Sequence, residues 1–249
     1  MLQKILVSKE GKFFYLKDIS QDYHTQYGFI AKGDLAAAKP GTTIVTNTGK
    51  EFILLEPGFI DSYKKIRRGA QIIHPKDIAL IIAETGISKS SCVVDAGAGS
   101  GALALFLANL VKEVTTYEIR EDFANVVRKN VEFLGLKNVT LVEQSIYEPI
   151  PKKNIDLMTL DVPEPWCAIP TAKACLKTGG FLVSYSPCIP QVMDFVEALE
   201  NPEHETGFLH LKTVELIERS WEVTRRKVRP KSIPVGHTGF LTFARKLSG

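Results

Sequence analysis

Asp95-Ala96-Gly97-Ala98-Gly99-Ser100-Gly101-Ala102 is the segment of this chain best suited to chemistry. Alternating glycines separate the apolar pair Val93-Val94 from an apolar run, Ala102 to Val111, which describes a strand turning tightly into a helix. A turn without Cβ atoms lets the backbone approach a ligand, and the N–H groups at the helix start face that ligand. At the carboxyl end of a strand in an open α/β sheet, such a turn suits a nucleotide-derived cofactor. Two further acids fit the same picture. Glu118 follows the loop by about 20 residues, the spacing of a carboxylate that grips a ribose diol. Asp161 closes the apolar run Ile155 to Leu160 and precedes Val162-Pro163-Glu164-Pro165-Trp166. A carboxylate at a strand end can accept a hydrogen bond from an amino group and stabilise developing positive charge. In a purely structural role, Asp161 would cap a helix opening at Pro163.

The elements that position these residues follow from periodicity. Residues 1 to about 60 carry short β-like runs (Lys4 to Val7, Lys12 to Leu16, Thr42 to Thr46, Glu51 to Leu55) between turn signals, which predicts a small β-rich domain over 1–60. The remainder, 61–249, alternates strands with helices. A helix opens at His74-Pro75, with proline in its first turn. Strands Val93 to Asp95, Val114 to Ile119, Val139 to Glu143, Ile155 to Asp161 and Gly180 to Tyr185 are interleaved with helices Ala102 to Val111, Asp122 to Leu134, Cys167 to Leu176 and Gln191 to Leu199. This alternation predicts a mostly parallel sheet covered on both faces. Leu211 to Ile217, Trp221 to Val228 and Gly239 to Ala244 read as closing strands with an antiparallel edge.

Composition limits the function classes. The 249 residues are 45% hydrophobic and 24% charged, ordinary for a soluble globular chain. No run approaches the roughly 18 apolar residues of a membrane span. The first residues lack the apolar core of a signal peptide, so a cytoplasmic protein is expected. Cys92, Cys167, Cys175 and Cys188 form no CxxC pair, so no zinc site and no metal is expected, and the thiols read as free in a reducing compartment. The net charge of +3 matters less than its distribution. Lys64, Lys65, Arg67 and Arg68 form one basic cluster beside Tyr63. Arg219, Arg225, Arg226, Lys227, Arg229 and Lys231 form another, with Trp221 among them. Both suit a polyanion such as RNA, or are solvated basic surface.

The glycine loop fits two templates. Gly97-x-Gly99-x-x-Ala102 satisfies a loose dinucleotide fingerprint, and Gly97-x-Gly99-x-Gly101 is similar to the tighter loop of S-adenosylmethionine methyltransferases. The segment around Asp161, followed by the helix–turn–strand Leu176 to Val183, favours the second.

Several segments together resemble the tRNA adenine-N1 methyltransferase family in its archaeal form. They are Arg68-Gly69-Ala70-Gln71-Ile72-Ile73-His74-Pro75-Lys76-Asp77, the glycine loop, Tyr117-Glu118-Ile119-Arg120, Leu160 to Trp166, Tyr185-Ser186-Pro187-Cys188 and Gly236-His237-Thr238-Gly239-Phe240-Leu241. The resemblance spans essentially the whole chain. It implies a class I methyltransferase fold (Rossmann-like, seven-stranded, mostly parallel), usually as a homotetramer. It implies S-adenosylmethionine as cofactor and tRNA as partner. The acceptor would be N1 of adenine 58 in the T loop, with 57 a further acceptor in some archaeal members.

Residue by residue, the resemblance makes Asp161 and His74 catalytic. Gln71, Asp95, Gly97, Gly99, Ser100, Gly101, Ala102, Glu118, Ile119, Phe123, Gln144, Ser145 and Asp161 would hold the cofactor. His74, Tyr185, Pro187, Arg225, Arg226, Arg229 and His237 would meet the tRNA. The chain departs from the family at Ser145, where members usually carry an acid. Two alternatives stand beside this reading. One is a methyltransferase acting on an amino group of another nucleic acid or of a protein. The other is a non-catalytic RNA-binding subunit, which the intact loop, Glu118 and Asp161 argue against.

Overall fold

The computed structural model describes residues 1–69, 71–201, 205–233 and 235–248; Ala70, within the first family-like segment, lies outside the described residues. Contacts divide the chain into two units: Met1–Ile66 with Phe133–Gly135, and Arg67–Glu132 with Leu136–Gly249.

In the first unit, β1 (Lys4–Ser8), β2 (Phe13–Leu16), β5 (Thr43–Val45) and β6 (Glu51–Leu55) form an antiparallel sheet of order β2-β1-β6-β5. A short hairpin, β3 (Tyr23–Thr25) and β4 (Gly28–Ile30), and helix α1 (Lys32–Ala37) lie between β2 and β5, where no element was expected. Leu6, Leu16, Ile30, Leu35, Ile44, Phe52 and Leu54 are the core of this unit. Helix α2 (Phe59–Tyr63) follows.

The second unit is built on a seven-stranded sheet of order β12-β15-β11-β10-β7-β8-β9. Its strands are β7 (Cys92–Ala96), β8 (Glu113–Tyr117), β9 (Val139–Val142), β10 (Ile155–Leu160), β11 (Leu176–Ser186), β12 (Phe208–Glu215) and β15 (Phe240–Lys246). The five strands from β11 to β9 run parallel, and β15 pairs antiparallel with both β11 and β12. Near-continuous apolar runs such as Leu157–Leu160 are what a sheet covered on both faces requires. The covering helices are α3 (Pro75–Thr85), α4 (Ala102–Ala108), α5 (Glu121–Leu134), α6 (Ile169–Cys175, after a 3-10 turn at Pro165–Ala168) and α7 (Ile189–Glu200). Helix α4 buries every residue but Phe106 almost completely, which explains its lack of a polar face. It ends three residues short of the predicted Val111, in turns at Asn109 and Leu110.

Two expectations are corrected here. Trp221 to Val228 is not one closing strand. It is a hairpin of β13 (Trp221–Thr224) and β14 (Lys227–Pro230) that forms its own two-stranded sheet. Cys167 to Leu176 is not one helix, because Pro170 restarts the chain as α6 after the 3-10 turn and Leu176 opens β11. All four cysteines are free thiols.

Candidate active site

The sheet reverses its order at β7: the chain runs outward through β8 and β9, then returns to the other side of β7 as β10. Open sheets bind ligands outside the carboxyl ends of strands at such a switch point. A cavity of about 440 Å³ lies there, lined by the residues after β7, β8, β9 and β10.

The glycine turn forms its floor. Gly97, Gly99 and Gly101 all have positive φ (79°, 53° and 77°). At Gly97 a Cβ would stand 1.9 Å from the Asp161 carbonyl oxygen, so no other residue fits between the two strand ends. The Asp161 N–H in turn donates to the Ala96 carbonyl at 2.9 Å, which locks β7 and β10 together where the cavity begins.

Glu118 follows β8. Its Oε2 accepts the Gly99 N–H at 2.8 Å, and its Oε1 accepts those of Ile119 and Arg120 at 2.9 and 3.0 Å. The carboxylate is thereby aimed at the cavity edge with its geometry fixed by backbone. Asp95 lines the cavity too, yet the Thr116 and Thr159 hydroxyls donate to its two oxygens at 2.7 Å each. It ties β7 to β8 and β10, and burial pushes its carboxyl pKa upward.

Asp161 differs. Among the described residues no side chain or N–H donates to its carboxyl group. Burial first, and the nearby Asp95 second, push its pKa to about 7. It does not cap a helix: Glu164 holds the cap position of the 3-10 turn, without a side-chain bond. Gln191, on α7, donates from Nε2 to the Val162 and Pro163 carbonyls at 2.9 and 2.7 Å and so holds the loop after Asp161. Sequence reasoning missed Gln191, for its only signal is a place two residues into a helix.

Gln71, Ala102, Ile119, Phe123, Gln144 and Ser145 also line the cavity. The Arg120 guanidinium lies 4.0 Å from the Phe123 ring centre. Ser145, at the position of the usual acid, accepts the Tyr147 N–H at 3.2 Å, and Gln144 donates to the Pro149 carbonyl at 3.2 Å. Ser100 accepts the Gly69 N–H at 2.9 Å. These partners hold the rim and leave acceptor oxygens on Ser145 and Gln144.

The residues expected to meet a substrate stand apart from the cavity lining. His74 is the N-cap position of α3 and makes no side-chain cap bond. Tyr185 lies on β11 next to β10; Leu160 pairs with Ser184, which brings Tyr185 level with Asp161. Burial, with Asp77 and Asp161 nearby, pushes its phenol to about 12. The Pro187 carbonyl accepts His237 Nε2 at 3.0 Å, and His237 Nδ1 reaches Glu215 at 2.6 Å. Arg225 and Arg226 form the turn of the β13–β14 hairpin, while Arg229 pairs with Glu222 at 3.2 Å.

Residues 64–233 match the family described as tRNA methyltransferase complex GCD14 subunit. The chain is similar to the tRNA (adenine(57)-N(1)/adenine(58)-N(1))-methyltransferase TrmI of Methanocaldococcus jannaschii, with 36% identity over 97% of this chain and 94% of that protein. It is also similar to the tRNA (adenine(58)-N(1))-methyltransferase TrmI of Thermus thermophilus, 32% identical over 90% of this chain and 88% of the other. Among solved structures, a tRNA (m1A58) methyltransferase TrmI from Aquifex aeolicus superposes with a TM-score of 0.80 at 27% identity, covering 99% of this chain and 97% of that one. A SAM-dependent O-methyltransferase from Thermotoga maritima gives 0.86 at 29%, covering 99% and 93%. With a switch-point cavity floored by three glycines, and with this match over most of its length, the chain belongs to the GCD14/TrmI family of tRNA methyltransferases.

Proposed function

We propose that this chain transfers a methyl group from S-adenosylmethionine to N1 of adenine 58 in the T loop of tRNA, in the cytoplasm and as a homotetramer. One observation carries the reading: Asp161, a carboxyl group without a donor among the described residues, stands in the same cavity as the glycine turn and Glu118. The cavity fits the cofactor. Its glycine floor excludes every Cβ at Gly97, and Glu118 presents a carboxylate there whose orientation backbone N–H groups fix. Glu118 would hold the ribose hydroxyls, and Gly97, Gly99 and Gly101 the methionine portion. Phe123, Gln144 and Ser145 would face the adenine. When bound, the cofactor supplies an electrophilic methyl group on its sulfonium.

The chain's own residues do the rest. Neutral adenine offers a lone pair and no proton at N1, so no base is needed to start the reaction, and positioning is the main task. Methylation leaves the base positively charged. Asp161, accepting a hydrogen bond from the exocyclic amino group, stabilises that charge more in the transition state than in the ground state. The same bond selects adenine over guanine. His74 and Tyr185 would flank the base, which must leave its stack to reach them. Arg225, Arg226, Arg229 and His237 would contact the tRNA.

Methyl transfer to an unmodified tRNA transcript, followed by nucleoside digestion and position mapping of adenines 57 and 58, tests the reading. The expected product is 1-methyladenosine, lost with Asp161→Ala. A wild-type protein that binds S-adenosylmethionine and labels no tRNA would overturn the substrate and leave the fold intact.

A further inference from the structure

Beyond the tRNA contact proposed for His237, the segment His237-Thr238-Gly239 grips several parts of the acceptor side at once. The Thr238 hydroxyl closes a small polar ring with the start of α3. It accepts Lys76 Nζ at 2.7 Å and donates to Asp77 Oδ2 at 2.9 Å, while Lys76 Nζ also reaches Asp77 Oδ1 at 2.6 Å. The Asp77 side chain is 1% exposed and that of Lys76 10%. A buried ion pair satisfied in this way is costly to break and rigid in geometry. The Thr238 carbonyl accepts the Tyr185 hydroxyl. Gly239 lies under the Tyr185 ring, where a Cβ would stand 2.4 Å from Cζ. The His237 imidazole spans the Glu215 carboxylate and the Pro187 carbonyl. Both partners are acceptors, and the hydrogen bonds to them, that of Glu215 first, hold the imidazole pKa above its ordinary value.

Three consecutive residues therefore hold Tyr185, the Pro187 turn and the helix start that carries His74. We infer that His237-Thr238-Gly239 is a positioning strap, which fixes Tyr185 and the His74-bearing end of α3 relative to Asp161 so that the acceptor base meets a preformed wall. The inference rests on the functional reading above. Thr238 and Asp77 are positioning residues and need not touch the base.

Thr238→Val keeps the shape and removes both hydroxyl bonds, and Thr238→Ser restores them. Each variant is measured for kcat/KM toward tRNA, for S-adenosylmethionine affinity by calorimetry, and for Tm. A misplaced wall lowers kcat/KM about tenfold or more in Thr238→Val, with cofactor affinity unchanged to within about twofold and recovery in Thr238→Ser. The 19F resonance of Tyr185 in 3-fluorotyrosine-labelled protein, assigned with Tyr185→Phe, reports the wall without any turnover. It should shift and broaden in Thr238→Val and return in Thr238→Ser. An unchanged resonance overturns the strap. So does a folded Thr238→Val with wild-type kcat/KM, or one that loses cofactor affinity and tRNA turnover in equal measure. If the wild type forms no 1-methyladenosine, the functional reading falls, and the fluorine resonance alone decides the strap.

Discussion

In the proposed reaction, Asp161 should set the pH dependence of the rate. Its carboxyl group is held near 7 by burial and by Asp95, and only the ionised form can stabilise a cationic base. Protons leave it as pH rises, so kcat/KM for tRNA should climb with pH through a limb near 7 and then level off. In Asp161→Asn the limb should vanish and kcat should fall by about 10²–10³, the usual cost of removing one preorganised charge-stabilising group. A rate profile from pH 5.5 to 9 checks both. Gly97→Ala is a second residue-scale case. Its Cβ would meet the Asp161 carbonyl oxygen at 1.9 Å, at a φ of 79°, so about 2–4 kcal/mol of stability should be lost, read by urea unfolding. The requirement for glycine at 97 was legible from spacing alone. The burden on Asp95 was not. Its acid type suggested a ligand contact, whereas two threonine hydroxyls from neighbouring strands occupy its oxygens, and strand neighbours are not adjacent in sequence.

At the scale of elements, α7 acts on the site through one side chain. Gln191 holds the Val162 and Pro163 carbonyls, while its own Oε1 is buried and unpartnered among the described residues. Gln191→Leu removes two donors and at the same time relieves that orphan acceptor. The net change in stability should stay within about 1 kcal/mol, because the two effects offset. The loop that carries Asp161 loses its tether, and kcat should fall about tenfold. Tm beside single-turnover rates separates these outcomes. The parallel strands were legible because short stretches rich in β-branched and apolar residues stand between turn signals and helical patterns. The β13–β14 hairpin was not, since its turn is Arg225-Arg226, with no glycine, proline or asparagine to mark the reversal. Strands β3 and β4 were hidden for another reason: each is only three residues long, too short to show a period although Gly28 marks their turn.

For the whole molecule, RNA affinity should depend on salt, because phosphate contacts release bound counterions. Arg225 and Arg226 stand at a hairpin tip without ion-pair partners among the described residues, whereas Arg229 is paired with Glu222. Replacing both tip arginines with alanine should weaken tRNA binding at every salt concentration and flatten the log–log slope by about 1–2. Filter binding from 50 to 300 mM salt, as an order-of-magnitude range over which such contacts are screened, measures it. The overall layout was legible because alternating strands and helices admit few topologies. The carboxyl group of Asp161 also has a consequence for the heat tolerance of the chain. Its pKa lies near 7 in the folded state against an ordinary 3.8, so the native state binds the extra proton between those values, and stability falls as pH rises through that window. Above pH 7 the ionised group costs the fold on the order of 4 kcal/mol, from about three pKa units. A mutant library selected only for survival at high temperature and alkaline pH should therefore enrich asparagine or leucine at position 161, and its hardiest survivors should be inert toward tRNA.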